Sequence, residues 1–350
     1  MRPSTPTRAR ALALPLVTAL ASVAAPLAAQ AQRQAGLPLP AGVEAISLLG
    51  DTLRTLPLSA EVRARYDGQL ADARRAWERA PTDPDSIIWY ARRLGYLGRF
   101  RESIDVYSRG LAQHPDDAWM LRHRGHRWIS VRAFDRAVDD LARAERLVEG
   151  KPDIVEPDGQ PNERNQPIGT LHSNIRYHLG LAHYLRGEWE EALRVYRREL
   201  AGPINPDRRV SISHWAYLTL CRTGRAAEGR ALLAPITRDM SVIENGAYHR
   251  LTLLYKGELP VDSLLPKSGS ASVTDVSTAY GVGTWLLCQG RRDEALRVYR
   301  DILATGHWGA FGFIAAEAEL GRGARGCSGF GPGSLVWGMR VRGEVVCIPQ

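Results

Sequence analysis

Residues 83–113 read DPDSIIWYARRLGYLGRFRESIDVYSRGLAQ, and residues 117–147 read DAWMLRHRGHRWISVRAFDRAVDDLARAERL. With the second stretch slid back by 34 residues, Ile87, Ala91, Leu94, Leu97, Phe100, Ser103, Ile104, Tyr107 and Gly110 fall on Leu121, Gly125, Trp128, Val131, Phe134, Ala137, Val138, Leu141 and Ala144. Small residues meet small ones and large apolar residues meet large ones. A fixed period of this length specifies helix pairs that cannot bury their apolar face alone and stack to do so. The fold class expected is therefore all-α, a right-handed superhelix of stacked helical hairpins.

The pattern continues outward from these two hairpins, about 84–115 and 118–147. A third spans 173–200, with Leu179, Gly180, Tyr184, Gly187, Trp189, Ala192, Leu193 and Tyr196 at the same spacings. Weaker copies centre on Gly224, Gly257 and Gly290, and Pro260 interrupts the second helix of the copy around Gly257. Gly98 provides the turn in the first hairpin, whereas Arg132 stands at that place in the second. Ala137, Ala192 and Ala295 are the small residues that let paired helices cross closely. Before the repeats, Ser59 caps a helix to Ala80 that carries Val62, Leu70, Ala73 and Trp77 and covers the open end of the stack. After them, an apolar helix over Trp308–Leu320 caps the far end. The solenoid thus runs from 59 to 320.

Other segments break the period. Residues 32–58 carry several Pro and Gly and read as an irregular lead-in with one short helix near Val43–Leu49. An insertion at 148–169, between the second and third hairpins, is rich in Pro, Asn and acids (Glu149, Asp153, Glu156, Asp158, Glu163). Its acids are expected either to fold back over Arg122 and Arg92 or to stay disordered. The Gly-rich tail, 321–350, alternates around Arg342 and Gly343 as a short β-hairpin would.

These residues resemble the tetratricopeptide repeat family, the 34-residue helix-turn-helix unit, over most of residues 60–320. The resemblance implies a non-catalytic scaffold whose first helices line a concave groove for a protein or peptide. Carried over position by position, the groove is lined by Arg92, Tyr96, Trp119, Arg122, His126, Asn174, Tyr177, Tyr184 and His214. The clamp by which well-known members grip a C-terminal carboxylate is incomplete: its places hold Ile88, Arg92, His123, Asn174 and His178. An anionic envelope polymer, such as a cell-wall glycan, is the alternative ligand for this Arg/aromatic groove.

Location is read from the first residues. Arg2, Arg8 and Arg10 lead an Ala/Leu/Val run to Ala29, and Ala29-Gln30-Ala31 presents small residues where a signal peptidase cuts. Residues 1–31 are thus expected to be a signal peptide cleaved after Ala31, giving a periplasmic or secreted chain without an integral membrane span. Cleavage removes three arginines and lowers the formal charge from +8 to +5. Nucleic acid is not an expected partner of an exported chain. In an oxidising compartment Cys327 and Cys347, flanking the tail, are the disulfide candidates. Cys221 and Cys288 lie two hairpins apart and are expected to be unbridged.

No chemistry-bearing motif accompanies the repeats. The sequence lacks a G-x-S-x-G elbow, a phosphate-cradling glycine loop, a dinucleotide fingerprint and an H-E-x-x-H zinc pair. His123, His126 and His178 come near one another, but Arg122, Arg124 and Arg127 surround them and oppose a divalent cation. Neither cofactor, metal nor enzymatic activity is expected.

Overall fold

A computed structural model describes residues 39–264, 272–325, 336–341 and 344–349, the last two segments as backbone. The expected signal peptide and Cys327 lie outside these residues. The chain begins with a two-stranded antiparallel hairpin, β1 (Val43–Ile46) and β2 (Thr52–Arg54). Thirteen helices follow among the described residues. They are α1 (Ala60–Arg79), α2 (Pro84–Tyr96), α3 (Phe100–Gln113), α4 (Ala118–Ser130), α5 (Phe134–Val148), α6 (Leu171–Arg186), α7 (Trp189–Leu200) and α8 (Pro206–Arg222). Then come α9 (Ala226–Leu232), α10 (Gly246–Tyr255), α11 (Val273–Cys288), α12 (Arg292–Ala304) and α13 (Phe311–Arg325). Strands β3 (Val336–Val341) and β4 (Glu344–Pro349) pair antiparallel across 342–343. The molecule is a solenoid of helix pairs.

One backbone device generates every hairpin turn. The N–H of Arg99 bonds the carbonyl of Leu94, and the same five-residue reach recurs at Ala133–Trp128, Glu188–His183, Arg225–Leu220, Glu258–Leu253 and Arg291–Leu286. This is the closing bond of a Schellman turn, which requires the preceding residue to adopt a left-handed conformation. Glycine fills that place at 98, 187, 224, 257 and 290. The first helices are fastened by side-chain caps: Asp83 accepts from Ser86 N, Asp117 from Met120 N, Thr170 from Ser173 N and Asn205 from Arg208 N. The second helices lack such caps, because the Schellman turn feeds straight into them.

Arg132 is the exception, held at φ +66° where its counterparts are glycine. Its side chain explains the cost. The guanidinium donates to Glu317 Oε2 at 2.6 Å, to Ser130 O at 2.6 Å and to Trp308 O at 3.0 Å, and Arg132 is 1% exposed. Glu317, on α13, has no exposure and also accepts from Leu48 N in the β1–β2 turn. One buried ion pair therefore ties the second hairpin, the last helix and the N-terminal β-hairpin together.

Three expectations are corrected here. Residues 43–49 form strand and turn rather than helix. Val43 and Ala45 are buried in alternation, and Ser47 Oγ accepts from Leu49 N and Asp51 N to close the turn. Helix α13 does more than cap the far end: besides packing on α11 and α12 it meets α6 inside the curve. Phe311 packs on His126 and His178 at 5.2 and 5.7 Å between ring centroids, and Ile314, Ala315 and Ala316 are fully buried. A Cβ at Gly312 would stand 2.7 Å from Ser277 Cα, so backbone meets backbone where α13 crosses α11. The third correction concerns sulfur. Cys221 and Cys288 are joined in a disulfide across α8 and α11, with 5.9 Å between their Cα atoms. The intervening copy is short: α9 has seven residues and α10 ten, and Pro260 opens a 3-10 turn where a second helix would start. Helix α11 consequently packs on α8 itself.

Candidate functional site

The nine groove positions expected from the sequence separate into three environments. Tyr184 and His214 are entirely buried, in the core rather than lining an open groove. Tyr184 Oη bonds Tyr280 Oη at 2.7 Å, and Tyr255 Oη bonds His214 Nδ1 at 2.9 Å. Tyr177 and His126 lie beneath Phe311 of α13, and Trp215 Nε1 donates to Tyr177 Oη at 3.1 Å. Burial drives His126, His123 and His178 well below the ordinary histidine range, and His214 to about 3. They are neutral at pH 7, so none supplies charge to a ligand. Among the described residues no group of three or more His, Cys, Asp or Glu is placed to hold a metal ion.

Arg122, Asn174 and Arg92 form the second environment, under the inserted loop. The loop is ordered and folds back. Its ends pair through Glu156 N–Gly169 O at 2.8 Å and Leu171 N–Ile154 O at 2.9 Å. Between them Glu156 turns inward, 6% exposed. Asn174 Nδ2 donates to its Oε2 at 2.6 Å, and Arg122 Nε lies 3.2 Å from the same oxygen. Arg92 Nη1 donates to Pro157 O at 3.0 Å and Arg93 Nη1 to Gly159 O at 2.9 Å. Arg208, from the first turn of α8, reaches Asn174 Oδ1. Together with Glu244 and Asn245, just before α10, these groups enclose a polar cleft of about 230 Å³.

The third environment is open. Between α1 and α2 runs a groove of about 620 Å³, lined by Gln69, Asp72, Asp85, Trp89 and Arg93 among others. Trp89 is half-buried, with the guanidinium carbons of Arg92 and Arg93 at 4.4 and 5.1 Å from its ring. Tyr96 borders this region, its ring 6.0 Å from that of Tyr66 on α1. Trp119 is half-buried against the apolar cluster formed by Ile87, Leu94 and Met120. The sequence register passed over Trp89 because it assigned the neighbouring Ile88 to the groove, whereas Ile88 is buried. It also passed over Arg208; its place three residues after the helix-capping Asn205 was the available signal.

Residues 176–210, from α6 to the start of α8, match the tetratricopeptide repeat family model. Those residues resemble one tetratricopeptide repeat. Solved structures similar to it include a tetratricopeptide repeat protein from Parabacteroides merdae, 12% identical, covering 74% of this chain and 98% of that one at a TM-score of 0.42. A thermophilic repeat protein from Thermus thermophilus is 19% identical, covering 55% of this chain and 93% of the other at 0.38. YrrB, described as a repeat protein with an unusual peptide-binding site, is 14% identical, covering 69% and 96% at 0.38. No curated protein matches the chain. The repeat's own geometry is visible at Gly180, where a Cβ would stand 2.2 Å from the Tyr196 ring, so α6 and α7 cross at a glycine. Among the described residues no helix is long and apolar enough to span a membrane.

Proposed function

We propose that this repeat protein is an exported, non-catalytic scaffold of the bacterial envelope that holds a protein or peptide partner along α1 and α2. The observation that carries the reading is the open groove of about 620 Å³ beside Trp89. Elsewhere the inner curve is spent on the chain's own parts, α13 over His126 and Tyr177 and the inserted loop over Arg122. A Trp flanked by two guanidiniums, with Gln69, Asp72 and Asp85 nearby to fix hydrogen bonds, has the composition of an interface anchor. The same closure argues against an anionic polymer, which needs a continuous basic track. Export is supported by the charged start, apolar run and A-x-A exit of residues 1–31, and by the Cys221–Cys288 disulfide, a bond that persists in oxidising compartments.

The docking claim is tested by selecting displayed peptides on the mature chain and measuring each against Trp89→Ala. Loss of at least tenfold in affinity, about 1.4 kcal/mol, is expected. Peptides that bind the variant equally would refute the groove. Salt supplies a second reading, since docking on an aromatic anchor survives ionic strengths at which polymer binding collapses. Export is checked by fractionation and N-terminal sequencing; a mature chain starting at Gln32 is expected, and an intact, reduced cytoplasmic chain would end that part of the proposal.

A further inference from the structure

The cleft under the inserted loop holds buried guanidinium hydrogens that its own residues do not satisfy. Guanidiniums from three helices face it: Arg92 of α2, Arg122 of α4 and Arg208 of α8. One carboxylate, Glu156, is buried among them and approaches Arg122. Arg92 and Arg208 form no ion pair with a carboxylate among the described residues; they spend hydrogens on Pro157 O and Asn174 Oδ1. The other two acids of the lining, Asp158 and Glu244, are more exposed and bond to the loop. Asp158 accepts from Gln160 N, and the exposed Glu244 accepts from Asn162 Nδ2.

Two donors point to what is missing. Arg122 Nε and Arg208 Nε are buried and have no hydrogen-bond partner; the 3.2 Å approach of Arg122 Nε to Glu156 lacks the alignment of a bond. Arg122 is 8% exposed, so water does not freely serve it. A buried donor left unmade carries the full desolvation penalty of its group, and desolvation lowers both arginines from their ordinary pKa. The lining holds three guanidiniums and three carboxylates, of which only Glu156 is buried among the arginines. The volume, about 230 Å³, equals roughly eight waters at about 30 Å³ each. That suits one compact dianion rather than a peptide.

We propose that this cleft is a binding site for inorganic phosphate, taken as the hydrogen phosphate dianion. Its tetrahedral oxygens reach guanidiniums arriving from three directions, which a planar carboxylate does not, and arginine forks match phosphate geometry. Glu156 then acquires a role besides lining the cleft. An ionised carboxylate only accepts hydrogen bonds, so it welcomes the P–OH of hydrogen phosphate and repels sulfate, which has no proton to give. A phosphate monoester dianion also lacks that proton. Of the cleft's arginines only Arg92 also touches Trp89, and Arg122 and Arg208 belong to the cleft alone.

Calorimetric titration of the mature chain with inorganic phosphate, sulfate and phenyl phosphate at constant ionic strength tests this. Saturable phosphate binding, at least tenfold tighter than that of sulfate or phenyl phosphate, is expected. Glu156→Gln should bring phosphate and sulfate within about twofold of each other, and Arg208→Gln should weaken phosphate at least tenfold. Arg92→Gln, at a half-exposed position, provides the same test if Arg208→Gln loses helicity by circular dichroism. Absence of saturable phosphate binding, equal binding of sulfate by the wild type, or retained selectivity in Glu156→Gln would each overturn the assignment. Peptides selected through Trp89 should bind with or without phosphate, so the two proposals fail separately.

Discussion

Between Pro84 and Leu200 three hairpins repeat with every helix at least 12 residues long, whereas between Pro206 and Ala304 the second helix of one hairpin shrinks to seven. The first region is held by the repeat itself: capped first helices, identical turns, and small residues such as Gly180 where helices cross. The second is held by additions that are not periodic. Asp207 accepts from the backbone N–H groups of Ile243, Glu244 and Asn245 and pins the long connection before α10 to the start of α8. The Cys221–Cys288 disulfide joins α8 to α11. A repeat can thus lose a helix if covalent or buried polar ties replace the lost seam.

The contrast breaks most directly at the disulfide. The bridge spans 67 residues, a loop whose closure restrains the unfolded chain by about 4 kcal/mol. Replacing both cysteines with serine should lower stability by about that amount. Hydrogen exchange should rise through α8–α12 and stay slow in α2–α5. Uniform acceleration across both regions would show that they unfold as one unit.

Next in size is Arg132, whose buried ion pair with Glu317 ties the regular region to the last helix. Arg132→Gly gives the turn the residue its left-handed backbone prefers and should look favourable locally. It also leaves Glu317 buried without its cation, which outweighs the turn and should cost about 3 kcal/mol in denaturant unfolding. Adding Glu317→Gln should recover much of the loss, because a neutral amide tolerates the vacated site. Arg132→Gly more stable than the wild type would remove the ion pair from the account of how α13 is held.

How much of this was legible follows from range. The period, the turns and the capped starts are local and were readable from residues 83–147 alone. Arg132 was visible as a departure from glycine, but its reason, Glu317, lies 185 residues away. The β-hairpin at Val43 was missed because four residues, Val-Glu-Ala-Ile, fit helix or strand equally well until their docking surface is known. Helix α13 reads as an apolar end cap in sequence; only the closing of the curve brings Phe311 onto His126. That single placement decides which expected groove residues stay accessible. The inner curve near Tyr184 became core, and the candidate sites moved to Trp89 and the loop-covered cleft.

Acid sharpens the comparison at a smaller scale. Burial holds His214 at about 3 against an ordinary 6.5. Between those values the unfolded chain carries a proton that the folded chain refuses, so stability is full above about pH 6.5 and falls as pH drops. At pH 5 the loss from His214 alone is about 2 kcal/mol. His123, His126 and His178, lowered in the same direction by burial, add to it from the first region. Melting temperature measured from pH 7.5 to 5 should fall steadily, and His214→Gln should flatten part of the slope. A melting temperature constant over that interval would place these rings in contact with solvent.

The smallest expected effect separates the inserted loop from both regions. Gly159 rests on the first hairpin so closely that a Cβ there would stand 2.9 Å from Arg92 Nη2 and overlap the Tyr96 hydroxyl. Its backbone is one that alanine adopts without strain, so Gly159→Ala acts through contact alone. The loop should lift, Arg93 should lose its bond to Gly159 O, and global stability should change by only about 1 kcal/mol. Limited proteolysis within 153–169 should quicken severalfold while the helices stay protected. Tyr96→Phe removes the hydroxyl that the new methyl group meets, so the double variant should regain most of the wild-type resistance. If it does not, the closeness of Gly159 to Tyr96 is not what seats the loop, and the anchor lies instead in Glu156 with Asn174.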